Sequence, residues 1–86
     1  MAAEITIYIS NLCGYCRAAT SMLEKKGWSY NSIVVDGRDD LWDEMQKKSQ
    51  RNTVPQIWIG ETHVGGFDDL AELDMDGELD ALYESK

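Results

Sequence analysis

The sequence predicts an α/β fold, a four-stranded mixed β-sheet flanked by helices in the order βαβαββα. Three observations predict it. Ile5-Thr6-Ile7-Tyr8-Ile9 alternates at period two, the mark of a strand with one face buried. A stretch with helical spacing separates it from a second apolar run, so those two strands pair in parallel. Two short runs near residue 60 are split by only Gly60-Glu61, which makes an antiparallel hairpin. Parallel and antiparallel pairs in one chain give a mixed sheet with helices on its faces.

Each element has a local reason. From Arg17 to Lys26 the apolar Ala19, Met22 and Leu23 recur at helical spacing, together with Cys16, and Gly27 supplies the stop. Trp28 to Val35 carries Tyr30, Ile33, Val34 and Val35 and reads as the second strand. Asp36-Gly37 turns the chain, and Asp39 or Asp40 is placed to cap a helix that buries Leu41, Trp42 and Met45. Lys47 and Lys48 suit its C-terminal end. Pro55 stands at the mouth of a third strand, Gln56 to Ile59, where a missing N–H is tolerated. Thr62-His63-Val64 returns. Gly65-Gly66 frees the backbone for an unusual turn, and Asp68 or Asp69 caps a helix with Leu70, Ala71 and Leu73. Gly77 interrupts before a last short helix with Leu79, Leu82 and Tyr83.

The 86 residues read as a single domain spanning residues 1–86. The net charge is −8, from 16 acids against 8 bases, which disfavours a nucleic-acid or anionic-membrane surface. The charges are segregated: every base except Lys86 lies between Arg17 and Arg51, and half of the acids follow Phe67. Met1-Ala2-Ala3-Glu4 lacks the basic start and apolar run of a secretory signal. A cytoplasmic protein with reduced thiols is expected.

The chemistry centres on Cys13-Gly14-Tyr15-Cys16. A cysteine pair at this spacing, between a strand and a helix, acts as a redox couple. Cys13 falls beside the helix N-terminus, where unpaired amides carry partial positive charge and stabilise a thiolate. Arg17 adds a cation four residues on. Cys16 falls in the first turn and is more buried, so Cys13 attacks and Cys16 resolves. Structural zinc needs four ligands; Cys13, Cys16 and His63 are too few. A structural disulfide across so short a loop removes little chain entropy. His63 reads as a surface residue on an edge strand, and Trp28, Trp42 and Trp58 as packing residues.

With these blocks in place the sequence resembles the glutaredoxins, in particular the short bacterial dithiol type. The resemblance rests on Cys13-Gly14-Tyr15-Cys16, Thr53-Val54-Pro55, Gly65-Gly66 and Asp68-Asp69, in this order and spacing over nearly the whole chain. It implies a thioredoxin-like fold and glutathione as co-substrate. It also implies a cis Val54–Pro55 bond, with the Val54 backbone pairing to the cysteinyl part of glutathione beside Thr53 and Pro55. Gly66 then admits the ligand to the backbone. The amides near Phe67, Asp68 and Asp69 suit the γ-glutamyl carboxylate, an Asp side chain there takes the ammonium, and Tyr15 flanks the sulfur. The implied partners are glutathione and disulfide-containing or glutathionylated proteins, met as a monomer.

Three positions depart from the family pattern. Gly14 stands where proline is usual, and Phe67 where many relatives carry a third cysteine. Ser10-Asn11-Leu12 offers no lysine for the glycyl carboxylate, which leaves Arg51 or Arg38 for that contact. The departure at Gly14 admits a second reading, a [2Fe–2S] cluster bridged between two copies by one cysteine each and two glutathiones.

Overall fold

The computed structural model describes residues 3–84. The strands are β1 (Ile5–Ile9), β2 (Asn31–Val34), β3 (Gln56–Ile59) and β4 (Thr62–Gly65). The helices are α1 (Gly14–Lys25), α2 (Asp39–Ser49), α3 (Phe67–Met75) and α4 (Glu78–Glu84). The sheet order is β2-β1-β3-β4, with β1 parallel to β2 and antiparallel to β3. This is the predicted mixed sheet.

Side-chain alternation on β1 divides the core in two. Ile5 and Ile7 join Ala19, Leu23, Ile57, Ile59, Leu70 and Leu79 in one aliphatic cluster, built with α1, α3 and α4. Tyr8 points the other way, to Val35, Met45 and Trp58 beneath α2. Period-two alternation thus places a layer of helix on each face of the sheet.

Several boundaries differ from those the sequence predicts. Helix α1 starts at Gly14, a turn before the periodic stretch from Arg17, and Cys13 caps it at the helix start as its place in the motif implies. Strand β2 is shorter than Trp28–Val35: Trp28 instead stacks on Tyr83 of α4 at 3.9 Å between centroids. Neither Asp39 nor Asp40 caps α2. Its N-cap is Arg38, with no side-chain cap, and Asp40 binds the Arg38 guanidinium. The N-cap of α3 is Gly66 rather than Asp68 or Asp69. The hairpin is as expected, with Gly60 at φ 60.

Register decides where a site can form. The C-terminal ends of β1 and β2 lie side by side, Ile9 opposite Val34. The start of β3 meets the same edge, Gln56 opposite Tyr8, and the end of β4 follows through Gly65 opposite Ile57. Four loops therefore converge at one sheet edge, at the carboxyl ends of the parallel pair, where open α/β sheets bind ligands.

Candidate active site

Cys13 sits at that edge as the N-cap of α1. Its sulfur accepts a hydrogen bond from the Cys16 N–H at 3.2 Å, satisfying one amide that the helix itself leaves unpaired. On its other side the Val54 carbonyl lies 3.6 Å away, in reach of the thiol hydrogen. Cys13 is half-buried, whereas Cys16 is only 2% exposed. Both are free thiols. Burial, then the hydrogen bond with Cys13, pushes the Cys16 thiol up to about 12, while the Ser10 N–H, 3.5 Å from its sulfur, acts in the opposite direction. The two sulfurs therefore differ in access, with Cys16 the more buried as the sequence predicts.

Beside Cys13 runs an open groove of about 250 Å³. All eight predicted binding residues line it. Tyr15 comes from α1, Thr53, Val54 and Pro55 from the loop before β3, and Gly66, Phe67, Asp68 and Asp69 from the start of α3. The Tyr15 and Phe67 rings face each other across 6.2 Å between centroids. The Val54–Pro55 bond is cis. Cys13 and Cys16 line a separate recess with Ser10 and Arg17, and Val54 joins that recess to the groove.

Of the two bases considered for the groove, Arg51 lines it; Arg38 does not and is held by Asp40 at 2.9 Å. Arg51 Nη1 donates to Asp69 Oδ2 at 2.9 Å, and the same oxygen accepts the Gly66 N–H at 2.9 Å. The Arg51 bond first, then the Gly66 N–H, holds the Asp69 carboxyl below the usual carboxylate range. Gly65 precedes this knot at φ +117, and a Cβ there would collide with the Asp69 carboxylate. Gly65 is thus the member of the Gly-Gly pair whose backbone requires glycine; Gly66 has an ordinary φ of −91.

Three contributors escape sequence reasoning. Gln56 is wholly buried, and its Nε2 donates to the Thr53 carbonyl at 3.0 Å. Its Oε1 therefore accepts from His63 Nε2 at 2.8 Å, which places the ring hydrogen on that nitrogen. His63 is not a plain surface residue: it is half-buried against Trp58 and braces the groove loop through Gln56. Burial, then the Arg51 charge, lowers its proton affinity. Asp36, expected only to turn the chain, reaches back to the loop before Cys13. A polar residue in an otherwise apolar strand start is the one signal that could have singled out Gln56.

The convergent edge, the capping cysteine and the lined groove define a dithiol oxidoreductase site on a thioredoxin-like sheet. The glutaredoxin family model matches residues 5–64. A glutaredoxin of Pseudomonas aeruginosa is 49% identical over 81 residues, covering 94% of this chain and 96% of that one. The solution structure of a Brucella melitensis glutaredoxin superposes with a TM-score of 0.86 at 43% identity, over 96% of this chain and 90% of that one. A crystal structure of a buckwheat glutaredoxin–glutathione complex matches at a TM-score of 0.88 and 26% identity, over 94% and 76%. The chain belongs to the glutaredoxin family, and its role is that of a thiol–disulfide oxidoreductase.

Proposed function

We propose that this chain is a glutathione-dependent oxidoreductase that reduces protein disulfides and glutathione mixed disulfides, acting as a single domain. The observation that carries this reading is the Cys13 sulfur, fixed by the Cys16 N–H and set against Val54 at the head of the groove. The Cys13 thiolate attacks a disulfide. A bond forms between Cys13 and one substrate sulfur, and the other sulfur leaves as a thiolate that takes a proton. For a protein disulfide, Cys16 loses its proton, attacks the Cys13 sulfur and displaces the second substrate thiolate. For a glutathionylated substrate, glutathione is left on Cys13, and a second glutathione displaces it as glutathione disulfide.

In the groove, the Val54 backbone pairs with the cysteinyl part, between Thr53 and Pro55. Gly66 admits the peptide. The first-turn amides of α3 at Phe67 and Asp68 receive the γ-glutamyl carboxylate. Because Asp69 is engaged by Arg51 and Gly66, the exposed Asp68 takes the ammonium. Arg51, the base that lines the groove, takes the glycyl carboxylate. A glutathione-coupled mixed-disulfide assay tests the reading: wild type turns over and Cys13→Ser does not. Turnover by Cys13→Ser at the wild-type rate refutes it.

The [2Fe–2S] reading has one favouring residue, Gly14, whose Cβ position is open. Among the described residues no group of three or more His, Cys, Asp or Glu gathers to hold a metal. A cluster therefore needs a second copy and exogenous thiols, and anaerobic reconstitution followed by a visible spectrum separates the two readings. No described helix is long and apolar enough to cross a membrane, in keeping with the cytoplasmic location we propose.

A further inference from the structure

We propose that Asp36 is a positioning residue for the buried thiol Cys16. The proposal rests on the reading of Cys16 as the resolving thiol. Asp36 follows β2, and its carboxylate crosses to the loop that ends β1. Its Oδ1 accepts the Ser10 hydroxyl at 2.6 Å and its Oδ2 accepts the Asn11 N–H at 2.8 Å. The Ser10 hydroxyl oxygen in turn accepts the Leu12 N–H at 3.2 Å. Three consecutive residues before Cys13 are thus tied to one carboxylate.

The consequence falls on sulfur. The Ser10 N–H points at Cys16 Sγ, 3.5 Å away, and is a donor outside the active-site motif aimed at that atom. The strand end is held here from two sides, since the Val35 N–H also donates to the Ile9 carbonyl at 2.9 Å. A weak, long hydrogen bond to sulfur survives only if its donor stays in place, and this loop is otherwise exposed at Asn11 and Leu12. Asp36 has two opposed effects on Cys16. Its own negative charge disfavours the thiolate, while the N–H it positions favours it. The N–H meets the sulfur directly, whereas the carboxylate is bonded to Ser10 and Asn11 and is turned away from it by those two bonds. Cys13 Sγ accepts the Cys16 N–H, and Arg17 is the base lining the shared recess. Neither contacts the Asp36 carboxylate. The net role of Asp36 is therefore to ease the deprotonation that lets Cys16 close on Cys13.

An aromatic disulfide whose released thiolate absorbs light tests this without glutathione. Cys13 attacks it and releases one aromatic thiolate. Cys16 then attacks Cys13, forms the Cys13–Cys16 bond and releases the second. The second phase reports closure in wild type, Asp36→Ala, Asp36→Asn and Ser10→Ala, each checked for a cooperative unfolding transition. Alkylation of Cys16 against pH, in a Cys13→Ser background, reports its titration directly. Asp36→Ala should slow closure about three- to ten-fold, the worth of one hydrogen bond, and raise the Cys16 midpoint. Asp36→Asn, which keeps one acceptor without the charge, and Ser10→Ala should fall between it and wild type. A lowered midpoint in both Asp36→Ala and Asp36→Asn would show that the charge dominates and overturn the proposal. Closure and midpoint equal to wild type in all three variants overturn it as well. A second phase absent from wild type itself removes the resolving role of Cys16, while the titration still decides whether Asp36 acts on that thiol.

Discussion

Helices α1 and α3 both begin at the edge of the groove, and both leave first-turn amides without carbonyl partners. They treat them differently. At α1 the acceptor is the Cys13 sulfur, a group that also has to react. At α3 the Asp69 carboxylate, held by Arg51, accepts the N–H of the N-cap Gly66 and not a first-turn amide. The same backbone physics therefore makes a reactive start and a fixed start, facing each other across Tyr15 and Phe67. The difference teaches what a helix N-terminus supplies: partial positive charge that either supports a nucleophile at the cap or, where the cap is a glycine, seats an anion.

The largest break in this comparison comes from the α1 start. Cys16→Ser should keep turnover of glutathione mixed disulfides and lose that of protein disulfides, because only the latter need an internal resolving thiol. Coupled assays with the two substrate types check it, and loss of mixed-disulfide turnover would reverse the assignment. In wild type, closure should become faster with pH across roughly pH 6 to 9 without levelling, since burial holds the Cys16 thiol up to about 12. A plateau in that range would mean that the mixed disulfide frees Cys16 from its environment.

At the α3 start the next effect is structural. Gly65→Ala must place a Cβ at φ +117 and against the Asp69 carboxylate. A destabilisation of about 1–3 kcal/mol is expected, read from urea unfolding. Asp69→Asn should cost less, about 1 kcal/mol, through the weakened bond to Gly66. Its pH dependence has a definite sign. The folded Asp69 carboxyl titrates below its unfolded value, so its stabilisation is complete above about pH 4 and fades as pH falls through the lower folded value. The gap between wild type and Asp69→Asn should therefore narrow only on the acid side.

These effects also show what the sequence makes legible. The strands and the hairpin are readable because alternation and Gly60 are local signals. Eight of the groove residues are readable because they fall in three compact blocks; Arg51 lies outside them. The periodic spacing of α1 is readable only from Arg17, because a thiol is not among the usual capping side chains; it is the cysteine spacing that puts Cys13 at the helix start. Asp68 and Asp69 look like caps, yet the cap is Gly66, with Asp69 bonding backward to it. The Asp36–Ser10 tie and the His63–Gln56–Thr53 brace join residues far apart in sequence, with no periodicity to betray them. Trp28 and Tyr30 suit a strand by composition, but the stacking of Trp28 on Tyr83 takes the chain away from the sheet there.

The smallest expected effect concerns the bases. Arg51 is about half exposed, so its contact with a ligand carboxylate is worth only about 0–1 kcal/mol. Arg51→Ala should raise the Michaelis constant for glutathione a few-fold, less at high salt, while Arg38→Ala should leave it unchanged. Ser10→Lys, which would bring in the lysine usual in the family, also removes the hydroxyl that Asp36 holds, so any gain in glutathione affinity should come with slower closure.

The claim that Cys13, and not Cys16, forms the bond to substrate is tested most directly by mass. Reduced Cys16→Ser and Cys13→Ser proteins are each treated with glutathione disulfide near neutral pH, then digested and mapped. A single glutathione on Cys13 in the first protein, and none on Cys16 in the second over the same time, is the predicted result. Rapid glutathionylation of Cys16 in Cys13→Ser would contradict the division of labour between the two sulfurs.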